Sequence, residues 1–347
     1  MQKTIKIIKE KIEKIIDAEN IVVVYHYDID GCASASSLWR IMQKNHKECT
    51  FIPAERGFEQ IVMNQIKEQN PTKIVLLDYV PSEEFLDFLK NYDCEIIDHH
   101  QHEERLETVS YFTSSDLGES AALSYFMAKT AEEFGLKDME WLAYLGSFWD
   151  RCMESTEFYK KGVYQEKVEE LLPFNLVVSM TQTKGSKQIF EVMNTSTELG
   201  EALEKVKALE AYSRARELFD EELRGIQFSK KSYSDLNLDI YWVKTRFKHI
   251  RIYVDYITFS KDGSFVFVLD ETTRFKFSFR TTIGVDISKI VHSLSEEFKE
   301  FRGGGHKYAC GGLLLNDNAE ELLDRFVSLY REAHKQLDLE TDKNEHQ

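Results

Sequence analysis

Proline is scarce in this chain, 4 residues in 347, and glycine is modest at 16. That excludes collagenous, low-complexity and disordered classes, all of which are rich in one or both. No apolar run approaches the roughly 18 to 20 residues needed to cross a bilayer, and residues 1–20 are charged and amphipathic, not a signal peptide. The expected location is therefore the cytoplasm. The five cysteines (Cys32, Cys49, Cys94, Cys152 and Cys310) are odd in number and form no CxxC pair, which fits reduced thiols better than a disulfide framework or a zinc site. No GxxxxGK[ST] is present, so an ordinary P-loop is excluded. Positive charge is also short: 44 Lys and Arg stand against 60 Asp and Glu, a net charge of -16. A protein that coats nucleic acid nonspecifically needs the opposite balance.

What is present is enough apolar residue, 42%, and enough length to predict two domains. From residue 1 to about 190, short β-branched runs alternate with amphipathic helical stretches, as in a parallel sheet flanked by helices. The runs are Ile21–Tyr25, Lys73–Leu77 and Cys94–Ile97, and each leads into acidic residues or histidines. In open α/β sheets ligands bind outside the carboxyl ends of the strands. The stretch from about Thr195 to Ser229 is charged and reads as a connecting helix. Residues 236–315 are aromatic and β-branched (Ile240–Val243, Ile252–Val254, Phe265–Val268, Phe275–Phe279), the composition of a second sheet. An amphipathic helix near Ala319–Gln336 precedes a polar tail expected to fray. The predicted organisation is an α/β chain: a Rossmann-like catalytic domain over 1–194, a helical connector over 195–235, a smaller C-terminal α/β domain with a mixed sheet over 236–336, and a tail over 337–347.

The residues that carry chemistry fall in order. His26, Asp28 and Asp30 alternate after the first run, so they can project together. Asp78 ends the second run, Asp98, His99 and His100 end the third, and Asp150 closes an apolar stretch from Trp141 to Phe148. Any one aspartate there is ordinarily a helix cap or a turn residue; the ordered set at successive strand ends is not so easily explained. Carboxylates and imidazoles together suit manganese, magnesium or cobalt. Two such ions bridged by a carboxylate are the usual means of hydrolysing a phosphoester. Farther on, Ser278-Phe279-Arg280 and Arg302-Gly303-Gly304-Gly305-His306 suggest a turn whose exposed amides form an anion nest, with Arg280 as a bidentate phosphate clamp. Between Tyr241 and Gly312 there are 12 Lys/Arg and 8 Asp/Glu, a local +4 in an otherwise acidic chain. An acidic catalytic part joined to a mildly basic part suits a phosphate-bearing substrate held between them.

The segments HYDIDGCASAS, LLDYVPS, IIDHHQH and SFWDRC, with SFR and FRGGGHKYACGG, resemble the motifs of the DHH phosphoesterase superfamily in the branch carrying a DHH-associated C-terminal domain. Its relatives include RecJ-like exonucleases, oligoribonucleases, cyclic-dinucleotide phosphodiesterases and type II pyrophosphatases. The resemblance implies a hydrolase using two divalent ions, manganese first and magnesium or cobalt otherwise, on single-stranded DNA or RNA or short oligonucleotides. Asp28 and Asp78 would hold one ion; Asp30, Asp78, His99 and Asp150 the other. His100 would face the scissile phosphate, Asp98 would orient a histidine, and Arg280 with Gly303, Gly304, Gly305 and His306 would bind substrate. Many relatives carry the first histidine four residues before the first aspartate. Val24 stands there in this chain, and His26, two before, resembles the shorter archaeal-type spacing. The role of His26 is left open between ligand, phosphate contact and support for a ligand. The alternatives are a phosphodiesterase for cyclic or linear dinucleotides or 3'-phosphonucleotides, and a noncatalytic replication or repair scaffold. A homodimer and a replication or repair partner are compatible with the resemblance.

Overall fold

The structure is a computed structural model that describes residues 1–100, 109–153, 156, 168–244, 252, 254, 256, 258, 262–270, 274–315 and 318–345. The chain divides into two compact units, Met1–Arg216 and Glu217–Gln347.

The first unit is built on five parallel strands: β1 (Ile21–His26), β2 (Cys49–Ala54), β3 (Lys73–Leu77), β4 (Cys94–Asp98) and β5 (Ser110–Thr113), in the order β2-β1-β3-β4-β5. Strands β1, β3 and β4 are apolar runs because both faces of the sheet are covered. Helix α1 (Gln2–Ile16) precedes β1, and α2 (Ile29–Lys44), α3 (Glu59–Gln69) and α4 (Glu83–Leu89) connect successive strands from β1 to β4. Helix α1 buries Ile8, Ile12 and Ile15 on one stripe, and Val62 and Ile66 of α3 with Phe85 and Leu89 of α4 pack on Val22, Val24, Ile74 and Leu76. Strand β2 was not legible in the sequence, since Pro53 interrupts it; at a sheet edge a proline removes no ladder bond that the sheet needs.

After β5 come α5 (Leu123–Glu133), α6 (Glu140–Trp149), α7 (Val168–Thr195), α8 (Leu199–Lys207) and α9 (Glu210–Gly225). Three sequence expectations change here. Asp150 caps the C-terminus of a helix and does not end a strand; a short apolar run buried on every side has no period to separate the two. The connecting helix is two helices, α8 and α9, and residues 227–233 that would continue it form an exposed edge strand, β6 (Gln227–Tyr233). Its polar, lysine-bearing sequence is how an edge strand avoids unwanted pairing, and it hides the strand from pattern reading.

The second unit holds a mixed sheet in the order β10-β11-β9-β8-β7-β6, with β7 (Leu238–Lys244), β8 (Ser264–Asp270), β9 (Phe275–Thr281), β10 (Phe301–His306) and β11 (Ala309–Leu314). Only β7 and β8 pair in parallel. Helices α10 (Ile287–Glu297) and α11 (Ala319–Glu345) cover one face, where Val291, Leu294, Leu322 and Phe326 meet Phe277, Phe279 and Phe301. Ile252 and Val254, expected in a strand, are helical, and Tyr253 lies outside the described residues. Helix α11 runs on to Glu345, beyond the Gln336 at which the sequence placed the start of a tail.

Candidate metal centre

In the first sheet the direction of strand order reverses between β1 and β3, and the carboxyl ends at that switch point form a crevice. Asp28 follows β1 there as the N-cap of α2, its Oδ1 accepting from the Gly31 amide at 3.1 Å. Gly31 is required: a Cβ would lie 2.0 Å from the His26 carbonyl oxygen. His26 Nδ1 lies 2.9 Å from Asp28 Oδ2 and 3.8 Å from Asp78 Oδ2. Asp78 takes a left-handed backbone, φ 55, as it leaves β3, a strained conformation for a non-glycine residue.

Asp98 is the last residue of β4 and wholly buried. Its Oδ1 accepts the His99 amide at 2.7 Å and stands 2.7 Å from His100 Nδ1. That contact fixes the orientation of the His100 ring. The His100 carbonyl in turn accepts from the hydroxyls of Thr113 and Ser115. His99 Nε2 stands 3.1 Å from Asp78 Oδ1, 3.6 Å from Asp150 Oδ2 and 3.7 Å from Asp30 Oδ2.

Asp30, in the first turn of α2, is held by the start of α5: the amides of Leu123 and Ser124 donate to its two oxygens, each at 3.0 Å. Helix α6 closes on the same carboxylate. A Cβ at Gly146 would come within 2.1 Å of Ser124 Oγ and 2.6 Å of Asp30 Oδ1. These supports were missed in the sequence, where Gly146 was the one available signal: a lone glycine inside an apolar run marks close packing.

The structure thus gathers His26, Asp28, Asp30, Asp78, Asp98, His99, His100 and Asp150 into three overlapping groups of ligand atoms, each group within 4.8 Å. Asp28 and Asp78 share a group with His26; Asp30, His99 and Asp150 form another; Asp78 with Asp98, His99 and His100 form the third. Burial, reinforced by Asp150, pushes the Asp30 carboxyl up to about 6. Burial also raises Asp78 well above the carboxylate range, with Asp30 and Asp28 adding to it. Burial opposes charge on the two histidines, but the surrounding aspartates outweigh it, and His100 is raised to about 9 chiefly by Asp98. Among the described residues no hydrogen bond reaches the buried Asp78 Oδ1. Crowded carboxylates held against their own desolvation, with oxygen and imidazole nitrogen donors turned inward, fit hard to borderline divalent cations. Among the described residues no cysteine belongs to the groups.

The second unit answers the glycine expectation differently. Gly303, Gly304 and Gly305 lie in strand β10, paired with Gly312, Gly311 and Cys310, and are not a loop. The Gly303 amide donates to Ser295 Oγ at 3.1 Å, so this amide is not part of an exposed nest. Two of the glycines have local reasons: a Cβ on Gly303 would meet Val291 at 2.6 Å, and Gly305 has φ 145 with Ala309 O at 2.4 Å from its Cβ position. Gly304 alone faces open space. Register places Gly304 beside Gly311 and Ser278, and His306 beside Ala309 and Arg280. These two rows occupy the face opposite α10 and α11, because side chains alternate along each strand. Of His306 only the backbone is described. Arg280 is buried, and its Nη1 donates to the carbonyls of Phe279 and Cys310 at 2.9 and 3.3 Å.

A doubly covered parallel sheet with carboxylates and histidines at its switch point, followed by a mixed-sheet unit, is an α/β architecture of the DHH type. Residues 20–146 match the DHH family, N-terminal domain, and residues 240–335 match the DHHA1 domain. The chain belongs to the DHH phosphoesterase superfamily. No curated protein matches it significantly. Among solved structures it is similar to a DHH-domain protein described as a member of the s1p family of ribosomal proteins, at 15% identity and TM-score 0.67, over 94% of this chain and 90% of that one. It is also similar to RecJ from Thermus thermophilus in complex with Mn2+, at 15% identity and TM-score 0.59, over 95% of this chain but only 55% of that one. A third is an exonuclease RecJ bound to manganese, at 15% identity and TM-score 0.51, over 93% and 94%. At these identities the likeness establishes the fold. Among the described residues no helix is long and apolar enough to cross a membrane.

Proposed function

We propose that the chain is a metal-dependent phosphodiesterase of the RecJ-like branch, acting in the cytoplasm on short or single-stranded nucleic acid. The observation that carries this reading is the convergence of five aspartates and three histidines at one sheet switch point. Asp28, Asp78 and His26 would hold one divalent cation, and Asp30, Asp78, His99 and Asp150 a second, with manganese the leading candidate. Such a pair supplies Lewis-acid polarisation of the phosphate and a water acidic enough to attack it.

The remaining work falls to the chain. Asp78, fixed by its strained backbone, sits between the two sets. Asp98 holds the His100 ring, and the imidazolium so oriented would stabilise negative charge as it develops on the phosphate, an interaction worth most in a dry site. In the second unit, Gly304 and Gly311 leave a side-chain-free floor between Ser278 and the row of His306 and Arg280, a surface against which a nucleotide backbone can lie closely.

A second reading, hydrolysis confined to linear or cyclic dinucleotides, is favoured by the net charge of -16, which disfavours long tracking along phosphates. Manganese-dependent hydrolysis of end-labelled DNA and RNA from two to about thirty nucleotides, beside cyclic dinucleotides, tests both. Laddering on long strands supports the exonuclease; turnover only of the shortest substrates supports the second reading. Wild-type protein inert on all of them, or Asp78→Ala protein with near-normal activity, would overturn the phosphodiesterase assignment.

A further inference from the structure

A pocket of about 110 Å3 opens at the carboxyl end of β2, within the first unit. Pro53 and Val62 lie in its lining, and its rim carries Phe58 and Ile61, which are 51% and 57% exposed. Single exposed apolar residues need no explanation. Two of them three residues apart, at the start of α3 and on one pocket, form a small apolar wall. The opposite wall is α7 at the point where that helix breaks: Gln182 has φ 52 and ψ -132, and its Nε2 donates to Glu55 Oε1 at 3.0 Å. Broken helices of this kind concentrate at functional positions. Lys187, also lining the pocket, is exposed and makes no ion pair among the described residues.

The pocket adjoins the metal centre. Ala54 pairs with His26, and the Tyr27 amide donates to the Ala54 carbonyl at 3.0 Å. Glu55 therefore leaves β2 level with the turn that presents Asp28. A ligand in this pocket would have one flat aromatic contact at Phe58, an aliphatic contact at Ile61, amide edges at Gln65 and Gln182 that can donate or accept, and a cation at Lys187. That combination matches a base with its attached phosphate better than it matches an aliphatic or purely anionic molecule.

We infer that this pocket receives the base of a nucleotide adjoining the scissile phosphodiester, stacked on Phe58 and packed against Ile61; the inference rests on the phosphodiesterase reading for its choice of ligand. The two apolar residues would then set a minimum substrate: a phosphodiester with a base on the correct side.

The test is equilibrium binding of fluorescein-labelled dinucleotides, with calcium replacing manganese so that binding is read without turnover. Three probes are used: the intact dinucleotide, and versions lacking the base at one position or the other. Phe58→Ala should weaken the intact probe by roughly 5- to 100-fold, the range of one lost base–aromatic stack. One of the two abasic probes should bind wild type and variant alike. Because Phe58 is half exposed, the variant should retain its thermal midpoint, and Ile61→Ser provides an independent second variant with the same expected pattern. A wild type that fails to distinguish the intact probe from the abasic ones, or variants that weaken all three probes equally, would overturn the pocket assignment. Turnover in manganese reports on the reaction separately: a protein that hydrolyses nothing yet retains the base-dependent difference keeps the pocket and loses the phosphodiesterase reading.

Discussion

The metal-free protein should lose stability as the pH rises from 4 to 7, and Asp30 should account for a defined part of that loss. Folded Asp30 keeps its proton up to about pH 6, whereas its ordinary value is 3.8. Between those values the folded state binds more protons than the unfolded state, so unfolding free energy falls as pH climbs through the window and the loss is complete above about 6. A displacement of about two units at ~1.4 kcal/mol each gives ~3 kcal/mol. Asp30 is 2% exposed, so solvent screening removes little of this. The raised values of His99 and His100 act in the same direction but at higher pH, since a histidine leaves its ordinary value only near 6.5. The assay is urea unfolding of wild type and Asp30→Asn in EDTA, at pH values from 4 to 7. The wild type should be the more stable at pH 4, and its advantage should shrink by ~3 kcal/mol by pH 7. Saturating manganese should restore it, by ~2.7 kcal/mol at a hundred times the dissociation constant. A difference between the two proteins that stays flat with pH in EDTA would mean that the Leu123 and Ser124 amides alone stabilise the ionised carboxylate, and the argument that Asp30 needs a cation would fail.

Asp98→Asn should lower kcat by ~10- to 100-fold with KM little changed, because the carboxylate acts through the His100 ring, and His100→Ala should lower it at least as far; a change confined to KM would refute the positioning role. In the second unit Gly303→Ala should destabilise the fold by ~1–3 kcal/mol, since its Cβ would press on Val291 and Phe301. Gly304→Ala should leave the thermal midpoint intact and raise KM, and equal effects from the two substitutions would show that the open face is not where substrate lies.

Much of this architecture was readable because the parallel strands announce themselves. Ile21–Tyr25, Lys73–Leu77 and Cys94–Ile97 are unbroken apolar runs ending in ionisable residues, and burial on both faces demands such runs. Strands β2 and β6 escaped detection because they are edge strands in which Pro53 or exposed lysines replace the apolar signal, β5 because it is only four residues long, and β10 and β11 because their glycines read as a turn. The candidate site was legible to the extent that chemistry sits in the side chains of His26, Asp28, Asp30, Asp78, Asp98, His99, His100 and Asp150. Its supports were not, because they act through backbone or through absence. The Leu123 and Ser124 amides are donors that any residue would supply, and Gly146 contributes only the lack of a Cβ. The glycine triplet misled for the same reason: three glycines satisfy a turn, a packing constraint and an open floor equally well in sequence, and only the register with β11 separates those roles.

On the proposed reading the two units divide the work of recognition. Without cations, the carboxylates that stay ionised repel a phosphate, and the protons kept by Asp30 and Asp78 together with the raised histidines reduce that repulsion. Two divalent cations would bring four positive charges to this group, displace the protons held by Asp30 and Asp78, and give a phosphate oxygen a positive partner. An acidic chain of this kind would then attract its substrate mainly through the cations it holds. On the same reading the second unit would contribute a different kind of recognition. Its local excess of basic residues is small, and what it offers at Gly304 and Gly311 is access, a place where a backbone can approach without meeting a side chain. Affinity then depends on the metals and discrimination on surfaces that touch the nucleotide, which is why variants of Phe58 and Gly304 should separate substrates from one another, whereas variants of Asp78 should abolish activity on all of them.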